Sequence, residues 1–88
     1  MVGYGVNPPA QPHHRAASCP NRPAPCGWAD YNAAASSPQT LRGALVGGPT
    51  GQSGDSYTDV RTDYVANEVA VDYNAGFTGL MAGLVQLL

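Results

Sequence analysis

The chain has 88 residues, enough for one small domain at most, and only 11% of them are charged, against roughly 25% in ordinary soluble domains. Four arginines, no lysine and a formal charge of −2 leave no basic stripe to neutralise phosphates, which argues against nucleic-acid binding. No apolar run reaches the roughly 18 residues a membrane span needs, the residues after Met1 lack the basic-then-apolar order of a signal peptide, and 43% hydrophobic content is too high for ordinary disorder.

Residues 1–38 read as loop. Prolines at 8, 9, 12, 20, 23, 25 and 38 leave no gap of helix length before Cys26, and residues 26–37 offer at best a short turn. A loop of this length inside a compact domain is expected to line a functional site. Cys19 and Cys26 stand within Cys-Pro-Asn-Arg-Pro-Ala-Pro-Cys. This is compatible with a local disulfide, which fits an oxidising compartment, and equally with two free thiols. A zinc site joining them to His13 and His14 is a third option, but the spacing matches no C-x2-C pattern. Trp28 has the chemistry of a stacking platform, although a lone Trp in a loop is more often a packing anchor. Residues 39–46 suit a short helix, with Leu41, Leu45 and Val46 on one side and Gly47-Gly48-Pro49 as its stop. Residues 50–56, polar and Gly-rich, predict a turn.

The last third differs. Tyr73, Phe77, Leu80, Met81, Leu84, Val85 and Leu88 recur at spacings of three and four, the mark of a helix with one buried face. Gly76, Gly79 and Gly83 follow the same period, at an intrinsic cost of up to about 1 kcal/mol each relative to Ala. Such a stripe suits a helix pressed closely on another, and the 88 residues contain no second long helix to be that partner. Just before it stand five of the six acidic residues, Asp55, Asp59, Asp63, Glu68 and Asp72, interleaved with Tyr57, Tyr64 and Tyr73. A solvated surface feeding a helix N-terminus is one reading. A sugar cleft is the other: aromatic faces stack on pyranose rings while carboxylates hold hydroxyls or move protons.

Two stretches together resemble the signatures of the family 9 glycoside hydrolases, whose best-known members are endo-acting cellulases. The first stands as Gly5-Val6-Asn7, four residues, Pro12, then His13-His14-Arg15. The second stands as Tyr57-Thr58-Asp59, four residues, Tyr64, three residues, Glu68-Val69-Ala70, three residues, Asn74-Ala75, with every specified position filled. Gly43-Ala44-Leu45-Val46-Gly47-Gly48-Pro49 lies between them. The resemblance runs over residues 1–88 and implies a mostly α fold: the C-terminal part of a catalytic (α/α)6 barrel, with long loops and one well-defined C-terminal helix. Met1 falls inside the first signature, so the chain is expected to begin in mid-motif, as a fragment.

What the resemblance implies is endo-hydrolysis of β-1,4-glucosidic linkages in cellulose and related glucans by an inverting acid/base mechanism. Its two carboxyl groups stand roughly 6.5 to 9.5 Å apart so that water fits between. The general acid falls on Glu68, the only Glu in the chain. It must be protonated near the working pH, so burial or neighbours such as Asp59, Asp63 and Asp72 are expected to raise its pKa. Asp59 is expected to orient the acid or hold a sugar hydroxyl, roles compatible with capping a turn. His13 and Arg15 fall in the cleft. His13 is placed to donate to substrate or tune the acid, and Arg15 to bind sugar hydroxyls or a carboxylate such as Asp59. Tyr73 either faces the substrate or opens the helix's apolar stripe. His14 takes no role.

The family's catalytic base belongs to an Asp-rich motif absent from these 88 residues. The chain by itself is therefore expected to be inactive and to require the rest of the barrel, and the alternative is a truncated, non-catalytic remnant with at most weak glucan binding. No cofactor or metal is implied: some family members carry calcium, but no ligand cluster here is specific enough to place one. Membership of this family implies an extracellular, secreted protein acting on β-1,4-glucan.

Overall fold

The computed structural model describes residues 1–33, 35–51 and 56–88. Among them there is no strand, and regular structure is confined to a 3₁₀ turn (Arg15–Ser18), a five-residue helix α1 (Trp28–Asn32) and a long helix α2 (Val71–Leu87). Two isolated bridges tie distant loops together. His13 pairs with Glu68 in parallel, and Val46 pairs with Val69 in antiparallel sense.

Local chemistry sets each element. The 3₁₀ turn starts where the His14 imidazole accepts the Ala17 N–H at 3.1 Å, and Ser18 Oγ donates back to the Arg15 carbonyl at 2.6 Å. Helix α1 opens where the Gly27 N–H donates to Asp30 Oδ2 at 2.9 Å, a carboxylate in the first turn where the helix dipole favours it. It is the short turn expected within residues 26–37. Helix α2 is the predicted C-terminal helix, entered through Asp72 in its first turn and through Asn74, whose Nδ2 donates to the Ala70 carbonyl at 2.9 Å.

The expected helix over residues 39–46 does not form. Gly43 adopts a φ of +86°, in the left-handed region that ends a right-handed turn. The backbone donors there go across the chain instead of four residues back: Gly43 N–H to the Val2 carbonyl at 2.9 Å, Gly47 N–H to the Glu68 carbonyl at 3.1 Å, and Leu45 N–H to Asn74 Oδ1 at 3.0 Å. A helix would have to surrender these tertiary bonds. In the polar stretch 50–56, Gly51 N–H donates to Ser56 Oγ at 2.8 Å; the rest of that predicted turn, residues 52–55, lies outside the described residues.

Cys19 and Cys26 form a disulfide, with Cα atoms 5.3 Å apart. This decides between the alternatives left open by spacing and withdraws both thiolates from the zinc option. Packing is divided unevenly. Buried side chains lie in residues 1–70, where Val2, Ala17, Val46 and Ala66 accompany the polar Ser18, Arg61 and Asn67. No residue of α2 is buried. Its stripe forms as a helix face, but Leu80 is 59% and Val85 74% exposed, and a Cβ placed on Gly76, Gly79 or Gly83 would meet open space.

Candidate active site

The two motifs meet through backbone. The His13 N–H donates to the Asn67 carbonyl at 2.7 Å, which sets His13 beside Glu68 at a single parallel bridge. On the other side of the same segment, Gly47 and Gly48 N–H groups donate to the Glu68 and Ala66 carbonyls at 3.1 and 2.8 Å. That approach requires glycine at 47: a Cβ there would lie 2.2 Å from the Val65 carbonyl oxygen. Glu68 is thus clamped from both sides by its backbone, while its half-exposed carboxylate takes no hydrogen bond from any described residue. Because side chains alternate across an extended segment, His14 and Val69 point the other way. They line a hollow of about 690 Å³ with Leu41, Ala44 and Asn74, away from the face that bears His13 and Glu68.

Asn67 is the hub of this arrangement and is wholly buried, at 0% exposure. Its Nδ2 donates to the Gln11 carbonyl at 2.6 Å, to Asp59 Oδ1 at 3.1 Å and to the Val60 carbonyl at 3.1 Å. Its Oδ1 accepts from the Tyr57 hydroxyl. Every polar atom of one amide is therefore spent on joining residues of both signatures. Asp59 has a matching position. Its carboxylate accepts the Ala10 N–H at 2.7 Å and the Gln11 N–H at 3.0 Å, so it holds the segment that leads into His13. Burial, reinforced by the Asp59 and Asp63 carboxylates, pushes the Tyr57 hydroxyl up to about 12. Tyr57 therefore remains a donor to Asn67 across the neutral range.

The His13 ring is held as firmly as its backbone. Nδ1 lies 2.7 Å from the Arg61 carbonyl and 3.1 Å from the Tyr31 hydroxyl, with the Tyr31 and Tyr64 rings edge-on at 6.1 and 6.4 Å. Arg61 is itself buried, at 4% exposure. Its guanidinium donates to the carbonyls of Tyr31, Ala33 and Ala35 at 2.9, 2.5 and 2.6 Å and to Ser37 Oγ at 3.2 Å. Among the described residues, only its Nε finds no partner. A cation held by neutral oxygens in this way acts as a clip for the loop after α1.

Arg15 stays at the surface and stacks over the Trp28 ring, 4.9 Å from its centroid. The suggested pairing with Asp59 is not made, since the Asp59 oxygens are occupied by backbone donors. Trp28 is 62% exposed and edge-on to Tyr31 at 5.5 Å, so it is no core anchor. Arg15, Trp28, Tyr31, His13 and Tyr64 form a continuous chain of contacts leading toward Glu68. Tyr73 sits on α2 at 38% exposure and is in none of these ring contacts. Sequence reasoning singled out Glu68, His13, Asp59 and Arg15 but missed Asn67, Arg61, Tyr31 and Gly47. The one available signal was Arg61, the only basic residue in a carboxylate-rich window.

The family model of glycosyl hydrolase family 9 matches residues 1–81, both signatures included. The chain belongs to that family. Among family 9 relatives, endoglucanase B of Cellulomonas fimi is 54% identical over 87 residues, which is 98% of this chain and 8% of that protein. An endoglucanase of Dictyostelium discoideum is 53% identical over 97% of this chain and 11% of its own length. Of solved structures, endoglucanase from the termite Nasutitermes takasagoensis superposes with a TM-score of 0.88 at 53% identity, over 98% of this chain and 19% of that one. Endoglucanase CelQ from Clostridium thermocellum, complexed with cellobiose and cellotriose, gives 0.74 at 49% identity, over 94% and 12%. The chain therefore spans less than a fifth of each of these family 9 proteins.

Proposed function

We propose that this chain carries the acid half of a family 9 active site and, within a complete barrel, hydrolyses internal β-1,4-glucosidic linkages of cellulose and related glucans with inversion. The observation that carries this is the His13–Glu68 bridge locked by Asn67, which makes one site out of two distant motifs. Glu68 is the general acid, protonating the departing glycosidic oxygen while a carboxylate from the rest of the barrel activates water on the opposite face. Its carboxylate, which takes no hydrogen bond from any described residue, suits a group that must reach substrate. Asp59 supports the reaction by holding the Ala10–Gln11 backbone that leads to His13. His13 and Arg15 bind sugar hydroxyls, and Tyr73 contributes a face to the substrate. The endoglucanase names of the relatives and the cello-oligosaccharides bound by CelQ support this substrate class.

Under the same proposal, residues 1–88 are the C-terminal part of an (α/α)6 barrel, and the uncovered stripe of α2 packs on its neighbours there. The disulfide suits an extracellular setting. Alone, the chain releases no reducing ends from a soluble cellulose derivative. Substituted for the matching segment of the termite endoglucanase, it gives an active chimera whose kcat falls by about 10²- to 10⁴-fold on Glu68→Gln. Turnover by the isolated chain, or an unchanged kcat in the Glu68→Gln chimera, overturns the reading.

A further inference from the structure

His13 and Arg15, the two cleft residues of the first signature, are both reached by one short helix. We propose that Trp28 and Tyr31 on α1 are positioning residues: Trp28 fixes the Arg15 guanidinium, and Tyr31 fixes His13 with its proton on Nδ1, so that Nε2 is the nitrogen presented to a ligand. The identity of that ligand rests on the glucan reading above; the geometry does not.

Residues three apart on a helix share a face, and Trp28 and Tyr31 use this spacing to address two neighbours at once. Among the described residues, α1 and the 3₁₀ turn that begins at Arg15 are the only helical elements in contact. Arg15 lies 4.9 Å above the Trp28 ring, a cation–π geometry that restricts an otherwise free, exposed side chain. At His13, a carbonyl oxygen only accepts, so the 2.7 Å contact to the Arg61 carbonyl requires the donor proton on Nδ1. The Tyr31 hydroxyl donates to the same carbonyl at 3.3 Å and, at 3.1 Å from Nδ1, offers that proton a second acceptor. The neutral ring then carries its lone pair on Nε2 and accepts a hydrogen bond from a ligand hydroxyl.

Helix α1 is itself pinned at both ends, as a positioning element must be. The disulfide ends at Cys26, two residues before Trp28. The buried Arg61 guanidinium grips the Tyr31 and Ala33 carbonyls beyond.

The test uses the chimera with the termite endoglucanase described above, in which the rest of the barrel is present, with ¹⁵N-labelled histidine and arginine, reading the His13 tautomer from long-range ¹⁵N–¹H correlations and the ring-current shift of the Arg15 side-chain protons, with and without cellotetraose. The wild type shows the Nδ1–H form and upfield-shifted Arg15 protons. Tyr31→Phe moves the tautomer ratio about threefold toward Nε2–H and weakens cellotetraose by a similar factor, as loss of one modest hydrogen bond dictates. Trp28→Leu abolishes the Arg15 shift and weakens cellotetraose by about two- to fivefold, and Trp28→Phe, which keeps an aromatic face, restores part of both. An Nε2–H tautomer in the wild type, or Arg15 shifts unmoved by Trp28→Leu, overturns the proposal. Both signatures responding as expected without any cellotetraose binding supports the positioning and overturns the glucan reading.

Discussion

Residues 1–70 and helix α2 are opposites. The first region has little regular structure, yet its loops are cross-tied: Asn67 binds Gln11, Tyr57, Asp59 and Val60, and Arg61 gathers carbonyls at the end of α1 and just beyond it. Helix α2 has most of the regular structure and no buried residue. Backbone regularity and tertiary anchoring are therefore separate properties here. The loops are held by hydrogen-bonded buried polar side chains, which fix one geometry or fail as a unit. The helix holds itself through its own ladder, while its apolar stripe has nothing in this chain to cover it.

Several perturbations break or sharpen that contrast. The largest effect is expected from Asn67→Leu, which strands the Tyr57 hydroxyl and the Gln11 carbonyl in the interior. Urea unfolding followed by tryptophan fluorescence should report a loss of about 3–5 kcal/mol, and a loss below about 1 kcal/mol would show that the polar hub is not what holds the loops. Gly47→Ala should follow, at about 1–3 kcal/mol, because its methyl group collides with the Val65 carbonyl backbone rather than with a side chain that can turn away. Heteronuclear spectra should show the change concentrated at Gly47–Gly48 and Ala66–Glu68.

Alkaline unfolding is the third. Tyr57 ionises at about 12 in the folded chain against an ordinary 10.0. The folded state thus keeps a proton that the unfolded state gives up, so this contribution is complete below pH 10 and is lost as pH rises toward 12. In Tyr57→Phe that alkaline loss should shrink, as seen in melting temperature against pH. The smallest effect is expected on the other side of the comparison. Leu80→Ala, on the exposed stripe of α2, should change stability by no more than about 0.5 kcal/mol. A drop of about 2 kcal/mol, the size of a core truncation, would mean that α2 is buried in solution and the contrast would collapse.

Legibility in the sequence divides along the same line. Helix α2 was readable because a 3.6-residue period needs only local information, and the signature residues because their spacing is specific. Residues 39–46 were misread because Leu41, Leu45 and Val46 fit a helical face, whereas the outcome was decided by Asn74, Glu68 and Val2, distant partners that no local pattern announces. Arg61 and Asn67 were passed over for a related reason. An Arg among aspartates suggests ion pairing, yet its partners are carbonyls, and an Asn inside a motif's unspecified positions carries no periodic or charge signal at all. Trp28, legible either as a stacking platform or as a packing anchor, is an exposed residue whose ring carries the Arg15 guanidinium.

The bond from Asn67 to Gln11 joins residues 56 positions apart, and that from Asp59 to Ala10 spans 49. The entropy lost in closing such a span grows only with the logarithm of its length, by about 0.6 kcal/mol for each doubling. An insertion or deletion in the intervening surface loops, such as the proline-rich stretch between the two cysteines, is therefore nearly free once both ends are fastened. A shift of one residue between Asp59 and Asn67 would uncouple the whole junction. Evolution can thus lengthen or trim the connecting chain at little expense while the spacing inside each motif stays frozen.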